Sequence, residues 1–125
     1  MTNVYSNVVT VSVSGTSGGG GLGLAISNYS VTYSCSLGIV VSGVVIYNNN
    51  PVPNVMVEVG FCSQFDFSKN QFTGNYDAVG TASDGSFTDY IYTATPPGGS
   101  NCIVALVQYN GWTASVQKSV TIPTC

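Results

Sequence analysis

The chain predicts an all-β fold, an antiparallel β-sandwich with a detached N-terminal strand. Three observations carry this. The apolar residues are mainly Val, Ile, Tyr and Phe, which favour strands. No segment repeats its apolar positions with a helical period, and turn signals recur about every 8 to 15 residues. At 125 residues and 44% hydrophobic, the chain suffices for one compact core. A closed barrel is the alternative architecture, because a sequence does not show where a sheet closes.

Residues 4–13, VYSNVVTVSV, read as a first strand with Val9, Val11 and Val13 on one face, and Val4 opens it. Residues 15–23, GTSGGGGLG, are a flexible linker. The predicted organisation is therefore an N-terminal strand segment in 1–14, a linker in 15–23 and a sandwich domain in 24–125. Residues 22–35 form a long strand whose apolar parity switches from Leu22, Leu24 and Ile26 to Tyr29, Val31 and Tyr33. A bulge near Ser27 and Asn28 restores the face. Residues 39–47 are apolar on both parities, as expected of a strand inside a sheet, and NNNPVP at 48–53 turns the chain.

Residues 54–62 alternate, with Val55, Val57, Val59 and Phe61 inward and Met56 and Glu58 outward. A long loop, 63–76, follows and is a functional candidate by its length. A short strand at 77–82 leads through Ser83-Asp84-Gly85 to a strand at 87–93, and Asp-Gly predicts a hairpin between them. After a loop at 96–101, strands at 102–109 and 112–122 flank Asn110-Gly111, which predicts a type I′ turn.

Charge narrows the chemistry. Two basic and five acidic residues make 6% of the chain, against about 25% in an ordinary domain. Without Arg or His, the usual general base, metal ligand and bidentate phosphate reader are missing. A net charge of −3 with two lysines argues against nucleic acid as a partner. The longest apolar stretch, 38–47, is broken by Ser42 and Gly43 and falls short of the roughly 18 residues of a membrane helix. Residues 1–20 lack the basic and apolar regions of a secretory signal, so the expectation is a mature form or export by another route.

The even cysteine count in a small, charge-poor chain points to disulfides and an extracellular or cell-surface location. With strands alternating up and down, Cys35, Cys62, Cys102 and Cys125 all fall at one pole, where three connectivities are open. The pairing favoured is Cys62 with Cys102 and Cys35 with Cys125, closing loops of about 40 and 90 residues, each worth roughly 4 kcal/mol. A four-thiolate zinc site is the alternative, but no Cys-x-x-Cys pair nucleates it. No cofactor or metal is expected.

The Gly43-Val44-Val45 strand, the Pro51-Val52-Pro53-Asn54-Val55-Met56-Val57 segment and the Thr81-Ala82-Ser83-Asp84-Gly85-Ser86-Phe87 turn carry a resemblance. From Ser42 to Ile122 the chain resembles transthyretin-like and carboxypeptidase-regulatory-like β-sandwiches, an Ig-like architecture. That resemblance implies a structural or binding module without catalytic residues. In layout, a detached strand, a glycine linker and a charge-poor sandwich, the chain also resembles the archaeal extracellular filament subunits called threads or bundling pili. In those families an N-terminal strand of one subunit completes the sandwich of the next.

The leading expectation is thus a filament subunit whose partners are copies of itself, polymerising by donor-strand complementation through Val4, Val9, Val11 and Val13. The competing arrangement returns the same strand to its own sandwich, which a linker of this length permits. A different class is a recognition module contacting a glycan or protein through Phe65, Phe67, Phe72, Tyr76 and Trp112. An enzyme is disfavoured because no carboxylate pair is marked by spacing, and calcium around Asp66, Asp77 and Asp89 has no ligand-rich loop. Asn28-Tyr29-Ser30 is a glycosylation sequon at the expected bulge. Lys69 and Lys118 are candidates for an isopeptide bond, although Lys118 reads more simply as an edge charge that blunts strand pairing.

Overall fold

The computed structural model describes residues 10–15, 23–92 and 96–125, and of 10–15 only the backbone pairing is used. In chain order the strands are β1 (Thr10–Gly15), β2 (Leu24–Ser34), β3 (Gly38–Tyr47), β4 (Asn50–Pro51), β5 (Met56–Phe61), β6 (Phe65–Asp66), β7 (Gln71–Phe72), β8 (Asp77–Gly80), β9 (Ser86–Ile91), β10 (Ser100–Tyr109) and β11 (Trp112–Thr121). They form an antiparallel β-sandwich. One sheet runs β1-β11-β10-β5-β8; in the other, β3 pairs β2 on one side and β9 and β4 on the other. A small hairpin, β6-β7, makes the third pairing.

The two main sheets enclose Leu24, Ile26, Val31, Ile39, Val41, Val45, Val57, Val59, Phe87, Ile103, Val107, Val116 and Val120, all buried. The bulge in β2 is where parity required it. Its register with β3 shifts between Ser27 and Ser30, and Asn28 takes φ 54°. Tyr29 and Val31 thereby return to the core. β3 has strands on both sides and buries Ile39, Val41 and Val45, while Val40, Val44 and Ile46 on its other parity are half-buried.

Two tight turns have the geometry their sequences require. Asn110 and Gly111 sit at φ 53° and 81° between the paired Tyr109 and Trp112. Asn48 and Asn49 sit at φ 52° and 67° between Tyr47 and Asn50. Positive φ at both central positions is the type I′ requirement.

The Asp84-Gly85 turn corrects an expectation. β8 pairs β5 and β9 pairs β3, so the turn carries the chain from one sheet to the other rather than closing a hairpin. Neighbours on both sides hold it there. The buried Thr81 hydroxyl donates to the Val52 carbonyl at 2.7 Å and accepts from the Val55 amide at 3.0 Å. Past the turn, the Gly85 carbonyl accepts from the Val45 amide at 2.8 Å. Gly85 has φ 81°, and a Cβ there would lie 2.6 Å from the Val45 carbonyl oxygen, so only glycine fits.

All four cysteines meet at one pole in the favoured pairing. Cys62–Cys102, Cα–Cα 5.3 Å, ties β5 to β10 within one sheet. Cys35–Cys125, Cα–Cα 5.9 Å, joins the β2–β3 turn to the tail after β11 and so staples the sheets together. The Gln117 Oε1 lies 3.5 Å from Cys102 Sγ and 3.6 Å from Cys62 Sγ, a contact without a proton since a disulfide carries none.

The loop at 63–76 is more ordered than its irregular sequence suggests. Phe65 pairs Phe72 across β6-β7, and Phe65 packs on Val104 and Leu106, the outward-facing residues of β10. This second, smaller core explains why β10 is apolar on both parities.

Candidate assembly edge

β11 is the strand on which the N-terminal segment lies. β1 pairs it antiparallel, with Thr10 opposite Gln117, Val11 opposite Val116, Val13 opposite Ala114 and Gly15 opposite Trp112. Val116 and Ala114 point into the core, so the Val11 and Val13 positions share their face. The pairing is made within one chain, the in-cis arrangement. Val4 and Val9 lie outside the described residues, as does 16–22 of the glycine tract.

Both ends of that tract come to Trp112. Gly15 is its register partner, and Gly23, at φ 109°, lies so close that a Cβ would stand 3.1 Å from the Trp112 ring. Gly23 is held on its other side by Asn48. The Gly23 amide donates to Asn48 Oδ1 at 2.9 Å, and the Asn48 amide donates to the Gly23 carbonyl at 3.1 Å. Nearby, Asn110 Nδ2 donates to the Tyr47 hydroxyl at 2.8 Å, and the Tyr47 and Tyr109 rings meet edge to face at 5.4 Å. The strand's exit and the sandwich's entry thus share one indole, itself packed against the core.

Lys118 does not blunt an edge. It has the parity of Val116 and Val120, both buried, and its Nζ donates to the Tyr29 carbonyl of the opposite sheet at 3.0 Å. Asn28 is exposed at the bulge beside it.

The aromatic residues expected to form an exposed surface divide. Phe65 is buried and Phe72 and Trp112 are half-buried, leaving Phe67 and Tyr76 about half exposed. Phe67 and Phe72 both meet Phe65 edge to face at 4.9 Å, and Tyr76 stacks on Phe72 at 5.2 Å. Most of this ring area closes the small core, and Trp112 belongs to the β1 edge instead.

The carboxylates also separate. Asp66 accepts from the Ser68 hydroxyl at 2.6 Å and the Ser68 amide at 2.9 Å, which hold its pKa below the ordinary value. Asp84 does the same with Ser86, at 2.6 and 3.0 Å, with the same effect. Both are turn-forming residues. Asp77 and Asp89, which the sequence grouped with Asp66 as calcium candidates, meet at the sandwich edge opposite β1. Parity accords with this, since Asp77 shares that of Val79, and Asp89 that of Phe87 and Ile91.

No helix among the described residues is long and apolar enough to cross a membrane. Comparison with protein families, with curated proteins and with solved structures gives no match. The fold and the edge define a disulfide-stapled, antiparallel β-sandwich with a glycine-tethered N-terminal strand.

Proposed function

We propose that this protein is a structural subunit of an extracellular filament, assembled head to tail by laying β1 of one copy on β11 of the next. The observation that carries the reading is the convergence of both linker ends on Trp112. A neighbour's β1 can take the same register on β11 with every ladder hydrogen bond retained. Donor and acceptor are then different surfaces, and such contacts propagate as a fibre unless the rotation closes.

Pairing of a tethered strand with its own sandwich does not depend on concentration, whereas pairing between copies grows with it. Dilute subunits close on themselves, and subunits delivered densely at a surface exchange. Two disulfides suit an oxidising exterior. A surface with few charges leaves little repulsion between copies. In this reading the sandwich is of the Ig-like, transthyretin-like kind, and Asn28 is an exposed acceptor for a glycan.

Deleting residues 18–21 tests the proposal, since short hinges disfavour self-closure. Size exclusion and negative-stain imaging should show oligomers and fibres. A folded monomer at every concentration would contradict it.

A second reading, an extracellular recognition module, is favoured by one feature. A small open pocket of about 120 Å³ lies beside Tyr76, lined by Val59, Phe61, Asn75, Asp77 and Ile91. Absence of glycan or protein binding by the monomer removes it.

A further inference from the structure

β8 and β9 are the strands at which the two sheets end on the side away from β1, and each carries an aspartate that meets the other, Asp77 exposed at the rim and Asp89 half-buried. Asp77 stands opposite Val59 in the β5–β8 register, and Val59 is fully buried. Asp89 stands opposite Val41 in the β3–β9 register, between the buried Phe87 and Ile91. Asp89 Oδ2 is buried and has no hydrogen-bond donor among the described residues. A carboxylate oxygen that has lost its water and found no donor is costly, and the side chain that Asp89 meets is the carboxyl of Asp77. One proton supplies what is missing, because a protonated carboxyl donates to its ionised neighbour.

We propose that Asp77 and Asp89 form a proton-operated latch between the two sheets, closed when the pair holds one proton and loosened when both carboxyls are ionised. Among the described residues the surroundings offer no other ion to settle the charge. β3 contributes only uncharged residues opposite β9, and Glu58 of β5 has the outward parity of Met56. Tyr90 is exposed on the outer face of β9, and Tyr76, the residue before Asp77, is the phenol on this rim. Lys118 is engaged with Tyr29 on the opposite side, and Lys69 lies in the turn that its amide and that of Ser68 make on Asp66.

The electrostatics agree with the geometry. Burial, then the hydrogen bond and the charge of Asp77, raise the Asp89 pKa to about 6, with the Tyr90 amide opposing. A folded-state pKa above the unfolded value means stability that is fully present below the ordinary carboxylate range and is lost as pH rises through about 6.

The test is a carboxyl-carbon NMR titration of the intact protein together with thermal unfolding from pH 4 to 7, on the natural chain, Asp77→Asn and Asp89→Asn. An apparent pKa near 6 is expected in the natural chain, falling toward the ordinary carboxylate range in Asp77→Asn. The loss of Tm between pH 4 and 7 should shrink by roughly 3 °C or more in either variant, because the amide donates to the remaining carboxylate at every pH. Two carboxyls titrating normally in the natural chain would overturn the latch. So would an Asp89 midpoint unmoved by Asp77→Asn, which would make burial the whole cause. Should a variant fail to fold, the titration of the natural chain decides alone.

Discussion

Lys118 and Tyr29 clasp the sandwich from opposite sheets. The Lys118 ammonium donates to the Tyr29 carbonyl at 3.0 Å, while the Tyr29 hydroxyl crosses back and donates to the carbonyl of Ile103 at 2.9 Å. Ile103 is the cross-strand partner of Lys118, so the two bonds close on one spot of the β10–β11 ladder. Tyr29 is almost fully buried, and that burial pushes its phenol pKa well up. The bulge at Asn28 makes this possible, since without its extra residue Tyr29 would face solvent.

Tyr29→Phe removes the hydroxyl and leaves a buried carbonyl with one partner fewer. The expected loss is about 1–2 kcal/mol, read from chemical denaturation at neutral pH. In the natural chain, stability from this phenol is held below its unfolded pKa and is lost only as pH climbs through the raised folded value. An alkaline absorbance titration should therefore show one of the eight tyrosines ionising only upon unfolding.

Asp84→Ala removes the acceptor for the Ser86 hydroxyl and amide in the turn that passes from β8 to β9. The Asp84 pKa is lowered, so its contribution is present above the unfolded carboxylate value and is lost as pH falls through the folded one. The variant should melt lower than the natural chain at pH 7, with the difference closing in acid. This window lies below that of the Asp77–Asp89 pair and has the opposite sign.

Removing the inter-sheet disulfide as Cys35→Ser with Cys125→Ser opens a loop spanning 90 residues and should cost roughly 4 kcal/mol in denaturant unfolding. Peptide mapping without reduction should recover Cys35 joined to Cys125 and Cys62 joined to Cys102.

Much of the sandwich was legible because period-two patterning and turn chemistry are local. The β2 bulge followed from the parity change before Tyr29, and Asn110-Gly111 named its own turn. What was not legible depended on choices made across space. Asp84-Gly85 looks the same whether its strands pair each other or join different sheets, and only the grip of Thr81 and Val45 decides. Lys118 was assigned to an edge from its charge, although its parity with Val116 and Val120 already placed it inward. The loop aromatics gave no sign that Val104 and Leu106 needed a cover, because outward-facing apolar residues on β10 look like any buried strand. At the β1–β11 edge, the N-terminal strand was readable, while its partner strand and the approach of Gly15 and Gly23 to Trp112 were not.

The central claim is that β1 lies on the β11 of a neighbour in the assembled material, in the register it takes within one chain. Ser14 stands opposite Thr113 in that register, away from both native disulfides. Ser14→Cys with Thr113→Cys, assembled at high concentration, oxidised and run on a denaturing gel without reducing agent, reads the connection directly. A ladder of covalent oligomers that collapses on reduction is the predicted result. A cross-linked monomer as the sole product, from material that had been given the chance to assemble, would contradict it.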